Sequence, residues 1–102
     1  MDITDEQFDR AFAEFQAFGP QRRIPIEERL RKLLPNATLE EFASLQIRCK
    51  EIEAFALSLA EKVRERQTSD EVARNRLAEQ YPFLTRERLG HTWSQAVYFS
   101  LK

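Results

Sequence analysis

The segment from Phe42 to Val63 carries apolar residues at alternating three- and four-residue spacing. Residues spaced in this heptad pattern lie along a single face of one long helix. Thr38 and Glu41 precede it at capping-box spacing, and no Pro or Gly follows until Pro82. The pattern therefore predicts a long helix over about 39–67. Its buried seam is expected to be Phe42, Leu45, Cys49, Ile52, Ala56, Leu59 and Val63.

Cap and breaker residues predict four further helices. Thr4, Thr68 and Thr85 are placed as N-caps, Gly19-Pro20 ends the first helix, and Pro25 begins the second. The expected helices cover 5–18, 25–34, 69–80 and 86–101 in addition to the long one. Thr68 and Glu71 also have capping-box spacing. The residues that can face inward on the fourth helix are Val72, Ala73, Leu77 and Tyr81, and those that share one side of the last helix are Leu89, Trp93, Ala96 and Val97. We therefore expect an all-α five-helix bundle organised around a long central helix at about 39–67. A chain of 102 residues is expected to form a single domain over residues 1–102.

The composition limits the cellular compartment and the kinds of partner that we expect for this chain. Charged residues make up 32% of the chain and interrupt every apolar run, so we expect no membrane-spanning segment. The acidic N-terminus is unlike a signal peptide, and one lone cysteine suits a reducing compartment, so we expect a cytoplasmic protein. A net charge of −1 gives no general attraction to nucleic acid or to acidic membranes.

No set of residues forms a complete catalytic or ligand-binding motif. His91 and Cys49 are the only residues of their types, which leaves carboxylates to supply nearly all ligands of a zinc site. Cys49 also occupies the seam, where a thiol is shielded from reaction. Both glycines are isolated, so no phosphate-binding loop is present. We expect no enzyme activity, no catalytic residue, no metal and no cofactor.

Aromatic residues in the first helix allow one alternative. Phe8, Phe12 and Phe15 share a helical face, which is typical of core packing. Together with Trp93 they could instead line a pocket for a small apolar ligand.

The C-terminal third has the dimensions of a helix-turn-helix unit. The run Leu77-Ala-Glu-Gln-Tyr-Pro-Phe-Leu-Thr-Arg-Glu-Arg-Leu89, followed by Ala96 and Tyr98, resembles small bacterial antitoxin-like DNA-binding domains of uncharacterised families. The likeness covers residues 69–98 and implies a DNA-binding regulator. Residues 69–102 carry four acids against five bases, which weakens the attraction to phosphates. The candidate nucleic-acid contacts are Arg22, Arg23, Arg74, Arg76, Arg86 and Arg88.

Surplus apolar residues point to a different role. On the long helix and the last helix, several large side chains lie outside the stripe that one neighbouring helix can cover. We therefore expect a non-enzymatic interaction or regulatory protein that presents a helical surface to a protein partner. A homodimer, in which a second copy of the chain is present, is one such arrangement. DNA binding through 69–102 is the alternative. The candidate interface residues are Ile47, Phe55, Leu57, Tyr98 and Phe99.

Overall fold

The computed structural model of the chain describes residues 3–16 and 25–101, with the side chain of Glu27 left out. Within these residues the chain forms five helices and no strand. They are α1 (Asp5–Phe15), α2 (Ile26–Leu33), α3 (Leu39–Arg64), α4 (Asp70–Gln80) and α5 (Arg86–Ser100). None of these helices is both long enough and apolar enough to cross a bilayer. The all-α class and the long third helix are confirmed. The predicted end of the first helix, with Gly19-Pro20, lies outside the described residues.

The chain divides into two compact units, Met1–Cys49 and Lys50–Lys102. Unit 1 contains α1, α2 and the first part of α3, whereas unit 2 contains the rest of α3 with α4 and α5. The seam of α3 supplies the core of both units. Its members from Phe42 to Leu59 are all buried, and Val63 packs against the core of unit 2.

The start of α3 follows the predicted capping box. The Thr38 N–H donates to Glu41 Oε1 at 2.9 Å, and the Glu41 N–H donates to Thr38 Oγ1 at 3.2 Å. The hydrogen bond from the Thr38 backbone lowers the pKa of Glu41, because it favours the ionised carboxylate. An equivalent box of Thr4 and Gln7 opens α1.

The end of α3 comes at Arg64, three residues before the predicted Gln67. The Gln67 N–H donates to the Lys62 carbonyl at 2.8 Å, and the Arg66 N–H donates to the Val63 carbonyl at 3.0 Å. This pair of hydrogen bonds is a Schellman motif. In this motif the residue after the helix end that donates the shorter-range bond, here Arg66, adopts the left-handed conformation. Arg66 does so, with φ of 61°. The sequence does not predict this helix end, because position 66 is occupied by Arg and not by the Gly that usually marks such an end.

The N-cap of α4 is Ser69, so the predicted capping box of Thr68 with Glu71 is wrong. Ser69 Oγ accepts a hydrogen bond from the Val72 N–H at 3.1 Å. Because α4 begins one residue later than predicted, Val72 occupies the position where a capping box needs Glu or Gln, and its side chain has no hydrogen-bond acceptor. Val72 was expected to face inward but is exposed, and the buried residues of α4 are Ala73 and Leu77.

The core of unit 1 contains a pair of packed aromatic rings. Phe8 and Phe12 are fully buried and pack edge to face with centroids 6.1 Å apart. The Arg48 guanidinium of α3 lies 4.3 Å from the Phe8 ring centroid, a cation–π contact that joins α3 to α1. Arg29 of α2 bonds to Glu14 of α1 at 3.0 Å.

The core of unit 2 is built largely from small residues around one large ring. Ala56 and Ala60 of α3 lie with Ala73 of α4 and Ala96 of α5, and Leu59, Leu77 and Trp93 complete the cluster. Small side chains allow helices to approach closely, and a single indole then fills the remaining space. This packing sets which side of α5 faces inward and which side is left exposed.

Candidate functional site

The orientation of α5 is fixed by two contacts in addition to its buried apolar side chains. Trp93 Nε1 donates to Asp70 Oδ1 of α4 at 3.0 Å, and Arg64 of α3 donates to the Ser100 carbonyl. Thr92, Trp93, Ala96 and Ser100 are therefore the buried residues of this helix. The residues between them on the helix turn outward.

Four residues at the end of α5 are both apolar and exposed. We define the α5 face as Val97, Tyr98, Phe99 and Leu101, all of which are exposed. Tyr98 and Phe99 are 58% and 49% exposed, and their rings pack edge to face with centroids 5.6 Å apart. Val97 was expected on the same side as Trp93 and Ala96, but it is exposed whereas those two residues are buried in the core of unit 2.

The same stretch of α5 carries no fixed charge. No Asp, Glu, Lys or Arg stands between Arg88 and Lys102, although such residues make up 32% of the whole chain. Depletion of charge together with enrichment of aromatic residues distinguishes the centre of a protein interface from ordinary surface. The α5 face has both properties.

A cleft of about 220 Å³ lies beside the α5 face, between α3 and α5 of unit 2. Leu57 and Phe99 are its large apolar residues, and Glu53 and Gln95 are among its polar ones. The complete lining is Lys50, Glu53, Ala54, Leu57, Thr92, Gln95, Ala96 and Phe99. Burial raises the pKa of Glu53, and the positive charge of Lys50 partly opposes this shift.

The five predicted interface residues occupy different places. Leu57 and Phe99 meet in the cleft, and Tyr98 contacts Phe99 beside it. Phe55 is half-buried and packs edge to face on Tyr81 at 5.6 Å, so intramolecular contacts already cover part of it. Ile47 is exposed on α3 in unit 1. The cleft is not predicted by the sequence, because its two walls come from segments that are distant in the chain. The uncharged run before Lys102 is the sequence feature that indicates an unusual surface in this part of α5.

A second cleft of about 320 Å³ lies in unit 1. It is lined in part by Gln7 and Glu41, whose side-chain oxygens accept the capping hydrogen bonds of α1 and α3. Its polar groups therefore serve the helix starts. Exposed Leu39, the first residue of α3, is not part of its lining.

The aromatic residues proposed as a ligand pocket are mostly core. Phe8 and Phe12 are buried against each other in unit 1, and Phe15 is half-buried. Trp93 is buried in the core of unit 2 and donates its ring N–H to Asp70. These rings stabilise the two units.

The predicted nucleic-acid residues are distributed over α4 and α5. Arg74, Arg76 and Arg86 are exposed, whereas Arg88 is half-buried. Arg74 lies 3.7 Å from Asp70, so an acid partly neutralises it. Arg22 and Arg23 lie outside the described residues.

The described residues show no arrangement suited to metal chemistry. Across 3–16 and 25–101, no group of three or more His, Cys, Asp or Glu side chains is placed to hold a metal ion. Cys49 is 1% exposed in the seam of α3, and His91 is exposed on α5.

Comparisons of the chain with protein-family models, with curated proteins and with solved structures found no match.

Proposed function

We propose that this chain is a non-enzymatic, cytoplasmic interaction protein that binds a protein partner through the α5 face and the adjoining cleft. The observation that supports this most strongly is the exposed aromatic surface of Tyr98 and Phe99 in a helical stretch without fixed charge. Water contact with this surface is costly, and a partner that covers it gains the free energy of burial.

The exposed apolar residues of the α5 face also lie close together in the chain. Val97, Tyr98, Phe99 and Leu101 are 37–70% exposed and fall within five consecutive residues, and exposed apolar residues clustered in this way often mark a functional surface. Tyr98 and Phe99 are of the type that dominates binding energy in interfaces, since rigid rings bury much area for little loss of conformational freedom.

Site-specific photo-crosslinking in the source cells tests the proposal. A benzophenone amino acid replaces Tyr98 in one variant and Val72 in another. Val72 is the matched control, because it is 48% exposed and apolar but lies on α4 outside the α5 face. We expect a defined protein adduct from position 98 and none from position 72, and Leu101→Ser should remove the adduct at 98. Equal labelling from both positions, or none from either, would refute the proposed role.

DNA binding is the second candidate, supported by the exposure of Arg76 and Arg86 on neighbouring helices. A gel-shift assay on random duplex DNA at low salt tests it. DNA binding would appear as retardation that weakens steeply with salt and is reduced by Arg86→Ala. The absence of retardation at low salt would remove this candidate.

A further inference from the structure

The last turn of α5, from Val97 to Ser100, carries most of the α5 face. The final carbonyl groups of any helix have no N–H partner within that helix, so other donors must satisfy them. The Ser100 hydroxyl donates to the Val97 carbonyl at 2.7 Å. The Leu101 N–H donates to the Tyr98 carbonyl at 3.2 Å. Both donors belong to the end of α5 itself, so these hydrogen bonds break when this end unwinds.

A third donor comes from a different helix. Arg64, the last residue of α3, donates from its guanidinium to the Ser100 carbonyl. This carbonyl lies at the C-terminal end of α5, where the helix dipole is negative and a cation stabilises the helical conformation. The guanidinium keeps its charge in proteins, so this interaction does not depend on pH. Arg64 therefore links the end of α5 to the end of α3 by a hydrogen bond and by charge.

The described part of α5 has no cation of its own for this purpose. Its last turn contains no basic residue, and Lys102 lies outside the described residues. The terminal turns of a helix unwind most readily, because part of their backbone lacks intrahelical hydrogen bonds. Tyr98 and Phe99 are 58% and 49% exposed, so little burial holds this turn in place. The cation that stabilises it is supplied by α3.

We propose that Arg64 is a positioning residue for the α5 face: it keeps the last turn of α5 helical before a partner binds. The inference rests on the protein-binding role proposed above and adds the contact that prepares the surface for binding. A surface that is already ordered binds more tightly, because its backbone and side chains lose less conformational freedom on binding. Loss of Arg64 should therefore weaken binding although every residue of the α5 face is unchanged.

Residue-resolved amide hydrogen exchange of the chain alone tests the ordering of the last turn. Arg64→Met removes the charge and the donors but keeps an unbranched side chain. We expect it to lower the protection of the amides from Val97 to Ser100 by at least about threefold. The amides of α4 should keep their protection, because the effect is local. Arg64→Lys keeps the positive charge and should retain more protection than Arg64→Met.

Lys62→Met is the matched control. Lys62 and Arg64 are both basic residues of the last turn of α3, so either substitution removes a favourable interaction with the dipole of that helix. Arg64 in addition bonds to α5. Lys62→Met should therefore leave the last turn of α5 as protected as in the wild type. A general loss of stability would lower protection in α4 as well, which distinguishes it from unwinding of the last turn.

Binding is the second readout. The protein captured by the photo-crosslink at position 98 should bind Arg64→Met at least about threefold more weakly than wild type, and Lys62→Met as the wild type does. Unchanged protection in Arg64→Met, an equal loss in Lys62→Met, or lost protection with unchanged binding would each overturn the inference and leave the protein-binding role supported. The absence of any adduct from position 98 would refute the proposed function, and with it a positioning role in binding, even where Arg64 orders the turn.

Discussion

Glu53 is an acid placed where its charge is unfavourable. Its pKa is raised by burial in the cleft, so in the folded chain it holds its proton to a higher pH than in the unfolded chain. The folded state binds more protons in that interval, and the stability therefore falls as pH rises through the raised pKa. We expect Glu53→Gln to increase the free energy of unfolding at pH 7, and the difference from wild type to vanish below about pH 4.

Urea unfolding of wild type and Glu53→Gln at pH 4 and pH 7 measures this effect. The control is Glu51→Gln, which removes an exposed carboxylate from the same helix and should change stability by less than about 0.5 kcal/mol. A Glu53→Gln variant less stable than wild type at pH 7 would show that the pairing with Lys50 outweighs the cost of burial.

For residues of α3, burial predicts how much each substitution to Ala changes the free energy of unfolding. Leu45 and Ile52 are each 2% exposed, so Leu45→Ala or Ile52→Ala should cost about 2–5 kcal/mol through lost burial and an unfilled cavity. Leu39→Ala is the matched control, since Leu39 is 59% exposed on the same helix and should change stability by less than about 0.5 kcal/mol. Chemical denaturation checks all three, and similar losses for Leu39 and Leu45 would contradict the core assignment.

At the scale of the helices, α3 ends in a conformation that its sequence does not favour. Arg66 adopts the left-handed backbone conformation, in which residues other than Gly are strained. Arg66→Gly relieves the strain while the Schellman hydrogen bonds remain, so we expect a gain of about 0.5–1 kcal/mol after the greater chain entropy of unfolded Gly is subtracted. Thermal unfolding checks the gain, and Arg66→Ala, which keeps the strain, should show none.

The helices that the sequence predicted best are those determined by local signals. The Thr38–Glu41 box and the seam from Phe42 to Leu59 depend on residues three or four apart, and the structure contains both. Val72 and Val97 were assigned to the wrong side, because contacts between helices decide which side of α4 and α5 is buried. The cleft has the same origin, since it exists only where α3 and α5 pack together.

At the scale of the whole molecule, binding of a protein partner through the α5 face would link stability to the partner's concentration. If the partner binds only the folded chain, each tenfold rise in free partner well above the dissociation constant adds about 1.4 kcal/mol to the free energy of unfolding. For a domain of this size the midpoint of thermal unfolding should then rise by roughly 6–11 °C per tenfold.

Tyr98→Ser should lose most of this rise, because the substitution removes an exposed ring of the α5 face. Tyr98 is exposed, so its loss should leave the midpoint without partner close to that of the wild type. Calorimetry of both proteins, alone and with the protein captured by the photo-crosslink at position 98, measures both quantities. Similar midpoints without partner, with a smaller rise for Tyr98→Ser, would assign the extra stability to the α5 face; an equal rise in the two proteins would contradict a binding site there.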